Sequence, residues 1–108
     1  MANFLLVYSG DASGMGATPA EQAAIMQAWT GWFTKLGSAV VDGGNPTTPV
    51  AKHISKGGKV SDGPVGVAAT GYSIIKADSL AAAVELTKGC PVLQGDGQVT
   101  VYETFPAM

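Results

Sequence analysis

A strand, a helix and a second strand follow one another in the stretch 71-GYSIIKADSLAAAVELTKGCPVLQGDGQVTVYE-103. The apolar run over residues 71–76 predicts a strand in which Tyr72, Ile74 and Lys76 share one face and Ser73 and Ile75 the other. Residues 98–103 alternate valines with polar side chains and predict a strand that closes the fold.

Between these two strands the sequence predicts an α-helix. Asp78 is a suitable N-cap, and the inner face is expected to carry Leu80, Ala83, Val84 and Thr87. The Gly-Cys-Pro sequence over residues 89–91 is typical of a helix ending.

The N-terminal half has a similar order of elements. Residues 3–8 form a short apolar run that predicts a buried strand, and a glycine-containing loop is expected over residues 9–17. Thr18, Pro19 and Glu21 have the spacing of an N-cap, a first helical residue and a capping box. The helix is expected to end at Gly37, and a short strand is expected over residues 39–42.

The middle of the chain predicts two further strands, over residues 50–55 and 59–61, joined by a turn at Gly57-Gly58. Two strand-helix-strand halves around an antiparallel sheet make a ferredoxin-like α+β fold. We therefore expect one domain, with four strands or slightly more and two helices on one face. The other face of such a sheet would be open to a second copy of the chain.

Composition limits the classes of partner. Apolar residues make up 46% of the 108 residues and charged residues only 13%, which favours a homodimer that covers part of the surface. A net charge of −2 with six Lys and no Arg argues against nucleic acid. No apolar run approaches the roughly 20 residues that span a membrane, and the single cysteine fits a reducing compartment. We expect a cytoplasmic protein without a membrane partner.

Several motifs together resemble the YCII-related family, in its longer form named for an Asp-Gly-Pro-Phe motif. They are the opening strand over residues 4–8, the Trp-rich helix ending at Leu36-Gly37, and Val41-Asp42-Gly43-Gly44, Asp62-Gly63-Pro64, Gly71-Tyr72-Ser73, Ala77-Asp78-Ser79-Leu80 and Gly89-Cys90-Pro91, followed by the final strand. The resemblance implies a dimeric α+β barrel and an enzymatic role that uses a histidine and an aspartate. Val65 stands where the family motif has Phe, and the first helix carries no histidine.

His53 is the only histidine, so any acid/base step by an imidazole must use it. Asp42 and Asp62 each begin a turn, and either carboxylate is a candidate to orient the ring or stabilise charge. The alternative is that His53 lies in solvent and that both aspartates only form turns. We predict His53, Asp42 and Asp62 as catalytic residues, with that alternative open.

Trp29, Trp32 and Tyr72 are candidates for the apolar wall of a ligand pocket between helix and sheet, or at a dimer interface. Both tryptophans lie on the apolar face of the first helix, where core packing is the simpler interpretation. We predict all three as ligand-binding residues.

Two other motifs give only weak indications of a functional site. The glycines over residues 14–18 lack the full dinucleotide-binding fingerprint, because Pro19 replaces the third glycine. Cys90 follows a helix C-terminus, where the dipole opposes thiolate formation, and one His with one Cys does not make a metal site. We expect no cofactor and no metal.

The leading functional hypothesis is therefore a small-molecule-binding protein, with cofactor-independent acid/base chemistry at His53 as its potential activity. The alternative is a non-catalytic module that senses a ligand or acts as a dimerising accessory protein. A titratable group inside the pocket would favour the enzyme, and a pocket of aromatic and aliphatic groups would favour the binding module.

Overall fold

In the computed structural model, which describes residues 2–10 and 18–106, the chain forms an antiparallel sheet and two helices. The elements in chain order are β1 (Ala2–Ser9), α1 (Pro19–Leu36), β2 (Val40–Asp42), β3 (Lys52–Ser55), β4 (Lys59–Asp62), β5 (Ala69–Ala77), α2 (Leu80–Thr87) and β6 (Gln98–Glu103). Four strands make the main sheet in the order β2-β5-β1-β6. This architecture confirms the predicted α+β fold and is consistent with a ferredoxin-like arrangement.

The two faces of the sheet differ in burial. Along β1, Phe4, Leu6 and Tyr8 are buried beneath the helices, while the intervening residues are less buried. Register pairs Leu6 with Ser73 and Tyr8 with Gly71, so these residues share the helix-covered face. Period-two alternation then places the residues between them on the other, open face of the sheet.

Helix α1 begins and ends where the sequence predicts. The Thr18 hydroxyl accepts a hydrogen bond from the Glu21 amide at 3.2 Å, and Pro19 occupies the first turn. Gly37 adopts φ 58° immediately after the helix, a conformation that favours glycine. Residues 11–17 are outside the described residues. They include most of the loop predicted over residues 9–17 and most of the glycine motif over residues 14–18.

Helix α2 differs from the prediction in its cap and in its inner face. Ser79, and not Asp78, is the N-cap, because its hydroxyl accepts the Ala82 amide at 3.1 Å. Ala83 and Thr87 are buried as expected, but Leu80 and Val84 were wrongly placed on the inner face and are 44% and 38% exposed. The helix spans eight residues, and its buried positions carry the small side chains of Ala83 and Thr87.

The predicted hairpin in the middle of the chain is present as a separate two-stranded sheet of β3 and β4. Its turn contains Gly57 and Gly58, both at positive φ. The cross-strand pair Ile54 and Val60 is largely exposed, so the hairpin contributes little to the apolar core.

Neither described helix combines the length and the hydropathy that crossing a membrane would require.

Candidate functional site: a cavity between α1 and the sheet

A cavity of about 1120 Å³ lies between helix α1 and the end of the sheet at which β1 finishes and β5 begins. Its apolar wall comes mainly from α1, and its other side follows the chain after β2 and the loop before β6. The residues that define its character are Trp29, Phe33 and Met26 on α1, Tyr8 on β1, Ser73 on β5, residues 43–46 after β2, and Gln94 and Asp96 before β6. The cavity is therefore assembled from α1, the ends of β1 and β5, and the segments that follow β2 and precede β6.

The wall contains a cluster of aromatic rings. The ring of Trp29 lies 5.0 Å from that of Tyr8 at an angle of 68°, and 5.8 Å from that of Phe33 at 38°. These are favourable edge-on and tilted contacts, which hold the rings in place. All three rings line the cavity.

A chain of hydroxyl groups forms the polar part of the cavity. The Tyr8 hydroxyl donates to Ser73 Oγ at 2.7 Å, and Ser73 Oγ–H donates to the Gly43 carbonyl oxygen at 2.7 Å. Ser73 is fully buried and Tyr8 nearly so, and hydroxyl groups in such positions need partners. These two hydrogen bonds join β1, β5 and the segment after β2.

Burial keeps the Tyr8 hydroxyl and the Cys90 thiol protonated. It raises the pKa of Tyr8 well above the ordinary tyrosine value, and the hydrogen bond to Ser73 only partly opposes that effect. Burial also raises the pKa of the Cys90 thiol to about 11, against smaller opposing hydrogen bonds from the Val92 backbone and Tyr8. At neutral pH both groups are uncharged, and Cys90 is not activated as a nucleophile.

The protein is expected to lose stability at alkaline pH for this reason. An unfolded chain releases the thiol proton near pH 9.0 and a tyrosine proton near 10.0, whereas the folded chain retains both to higher pH. Between the pKa of each group in the unfolded chain and its higher pKa in the folded chain, the unfolded state binds fewer protons. The free energy of unfolding therefore falls as pH rises, by up to about 1.4 kcal/mol per pH unit for each group. Urea unfolding at a series of pH values measures this slope.

Cys90→Ala should reduce the alkaline slope between about pH 9 and 11. A wild-type protein whose unfolding free energy is the same at pH 8 and pH 11 would contradict the raised pKa values.

The segment after β2 forms the cavity edge by lying against β5. The Gly44 amide donates to Asp42 Oδ1 at 2.8 Å, which shapes the turn. Farther along, the Asn45 carbonyl oxygen accepts the Tyr72 amide at 3.3 Å, and Pro46 forms a bridge with Gly71. Asp42, predicted as catalytic, is thus engaged in its own turn.

His53 and Asp62 lie on the hairpin. The half-buried His53 ring places Nδ1 2.9 Å from the Gly63 carbonyl oxygen, so Nδ1 carries the proton of this hydrogen bond. Asp62 instead accepts from Lys52 at 3.1 Å, in an exposed ion pair. His53 pairs with Ser61 and Lys52 with Asp62, so the ring and the carboxylate lie on opposite faces of the hairpin.

The structure therefore does not bring the three predicted catalytic residues together around the cavity. Among the described residues that line it, none is His53, Asp42 or Asp62. The ring of His53 is oriented by a backbone carbonyl, which takes the place we assigned to a carboxylate.

The three predicted ligand-binding residues occupy different positions. Trp29 lines the cavity. Trp32 is 5% exposed, and its Nε1–H donates to the Leu86 carbonyl oxygen at 3.2 Å, which joins α1 to α2 within the core. Tyr72 borders the cavity beside Gly44, and its pairing with Val7 directs the side chain to the open face of the sheet.

Sequence reasoning missed Tyr8 and Ser73 as site residues. The signal was present, because alternation along the predicted strand put Ser73 on the same face as Ile75. A hydroxyl on a buried strand face requires a partner, and an interior Tyr in a facing strand is a suitable one.

Within residues 2–10 and 18–106, no three His, Cys, Asp or Glu side chains are grouped so that they could hold a metal ion. Comparison of the chain with protein-family models found no match, and neither did comparison with curated proteins.

Proposed function

We propose that this chain is a small-molecule-binding protein whose ligand occupies the cavity between α1 and the sheet. The observation that carries the proposal is the combination of volume and lining. A space of about 1120 Å³ is comparable to the larger ligand sites of proteins, which are mostly apolar with a few fixed polar groups. Here the rings of Trp29, Tyr8 and Phe33 supply the apolar wall, and the hydrogen-bonded hydroxyl groups of Tyr8 and Ser73 supply the fixed polar groups.

The non-catalytic form of this function is the better supported one. The hydroxyl protons of Tyr8 and Ser73 are already used in hydrogen bonds, and burial opposes ionisation of Tyr8. Such groups orient a ligand, whereas acid/base catalysis requires a group that exchanges protons near the working pH.

Acid/base chemistry at His53 is a second candidate, favoured by the contact with Gly63. A ring that donates from Nδ1 leaves the Nε2 lone pair available as a base. Nitrogen-15 NMR of the imidazole should then show the Nδ1-protonated tautomer for the neutral ring, and the Nε2-protonated tautomer would eliminate this role.

Membership of the YCII-related family and a cytoplasmic homodimer are further parts of the proposal. The shared motifs support the family, and the open face of the sheet supports the dimer. That face carries the partly exposed apolar side chains of Leu5, Val7, Tyr72, Ile74 and Tyr102. Unpartnered apolar faces of this kind are typical of interfaces. Sedimentation velocity should give twice the mass of the chain, and a monomer for the wild type would contradict it.

Titration with the neutral fluorescent probe N-phenyl-1-naphthylamine tests the binding function directly. We expect saturable binding of one probe per chain, with affinity at least about tenfold weaker in Trp29→Ala because stacking and buried area are lost. Tyr102→Ala removes an aromatic side chain from the open face and should leave the affinity unchanged.

Binding that fails to saturate would contradict the proposal. So would binding that is sensitive to Tyr102→Ala and insensitive to Trp29→Ala, because the probe would then occupy the open face of the sheet.

A further inference from the structure

The hydroxyl groups of the cavity are arranged as hydrogen-bond acceptors. The proton of Tyr8 is used by Ser73, and the proton of Ser73 is used by the Gly43 carbonyl oxygen. Each hydroxyl has one proton and two lone pairs, so neither has a proton left to donate to a ligand; Ser73 is fully enclosed, and Tyr8, at 5% exposed, is the one of the two that retains any surface. A ligand that brings its own N–H donors or a positive charge fits this end of the cavity, and an anion does not.

The rest of the wall has the same electrostatic preference. Aromatic faces carry a negative quadrupole that attracts cations, and Trp is the strongest of the three ring types in this respect. The carboxylate of Asp96 is the one formal charge among the described lining residues. The six Lys of the chain all lie elsewhere in the sequence, and there is no Arg to bind an anion.

We infer that the cavity selects planar organic cations over anions of the same shape, with Trp29 and Asp96 as the residues that recognise the charge. The inference rests on the proposed binding function and narrows its ligand class. A planar aromatic ring would fill the space beside Trp29 and Phe33, and its positive charge would face the ring system and Asp96.

Three bicyclic probes of similar size but different charge provide the test: N-methylquinolinium, quinoline and 2-naphthoate. Binding is measured at neutral pH by calorimetry and by shifts of the two Trp indole N–H signals in NMR spectra. We expect N-methylquinolinium to bind about tenfold more tightly than 2-naphthoate, with quinoline between them. The Trp29 signal should move more than that of Trp32, whose N–H is held by Leu86.

Two variants with the same change in net charge separate local recognition from general attraction to an acidic protein. Asp96→Asn should reduce the preference for the cation by about threefold, as expected for a partly exposed charge pair. Glu103→Gln, at an exposed residue of β6 that does not line the cavity, should leave the preference for the cation intact. A preference lost equally in both variants would overturn the role of Asp96.

The outcomes distinguish this inference from the proposed function. If 2-naphthoate binds as tightly as N-methylquinolinium, the selectivity is overturned and the binding function stands. If the neutral N-phenyl-1-naphthylamine and all three probes fail to bind, the proposed function itself is overturned.

Discussion

Replacing Gly44 by Ala is expected to lower the free energy of unfolding by about 3 kcal/mol or more, a large part of the stability of a domain of this size. A Cβ atom added at Gly44 would lie 1.8 Å from the carbonyl oxygen of Tyr72 and 3.1 Å from its ring. The contact is with backbone, so no side-chain rotation relieves it. Gly44 also has φ 71°, which adds a conformational cost for any other residue.

Two other glycines serve as controls that separate these effects. Gly57 has φ 84° but open space around it, so Gly57→Ala should show only the conformational cost of about 1–2 kcal/mol. Gly43 has neither a positive φ nor a close neighbour, the nearest atoms being in the Phe33 ring at 3.9 Å. Gly43→Ala should therefore change stability by less than about 0.5 kcal/mol.

Urea unfolding followed by far-UV circular dichroism measures all three variants. If Gly44→Ala and Gly57→Ala are equally stable, the close approach of the segment after β2 to β5 is wrong. Because that segment is one edge of the cavity, any Gly44→Ala protein that folds should also bind N-phenyl-1-naphthylamine more weakly.

Elements with strong local signals were predictable from the sequence. The ends of helix α1, after Thr18 and before Gly37, were predictable because its capping groups are local in sequence. For α2, two adjacent residues were both good N-caps, and only the hydrogen bond to Ala82 distinguishes Ser79 from Asp78. The rotation of so short a helix depends on packing, which periodicity alone does not determine.

The location of the candidate site required tertiary structure. His53, Asp42 and Asp62 were grouped because their residue types suit catalysis, but nothing local shows that the hairpin forms a separate sheet. The hydrogen bond from Tyr8 to Ser73 joins residues 65 positions apart, and it depends on the register of β1 against β5. The alternation of Ser73 with apolar neighbours indicated that its hydroxyl is buried, but not which residue would bind it.

The two tryptophans of α1 show the same difference between residue type and position. Both lie on the apolar face of one helix, and sequence reasoning assigned both to a ligand pocket. In the structure Trp32 is enclosed between α1 and α2 and bonded to Leu86, whereas Trp29 is only half-buried and borders the cavity. Their substitution should therefore affect different properties of the protein.

Trp32→Ala is expected to destabilise the fold by about 3–5 kcal/mol, because it leaves a cavity in the core and removes the donor to Leu86. Trp29→Ala should cost about 1–2 kcal/mol, since its ring already borders the cavity and mainly loses contacts with the rings of Tyr8, Trp32 and Phe33. For probe affinity, the larger effect is expected at Trp29 and not at Trp32. Trp29→Ala should weaken the binding of N-phenyl-1-naphthylamine by about tenfold or more, whereas the milder Trp32→Phe should change this affinity by less than about twofold.

Circular dichroism gives the two stabilities without relying on tryptophan fluorescence, and the probe titration gives the two affinities. Equal stability losses in the two alanine variants would show that Trp29 is as enclosed as Trp32, and the cavity would then not reach the ring. A Trp32→Phe protein that is fully folded but does not bind the probe would place the ligand against the core indole. The ligand would then lie between the two helices and not in the proposed cavity.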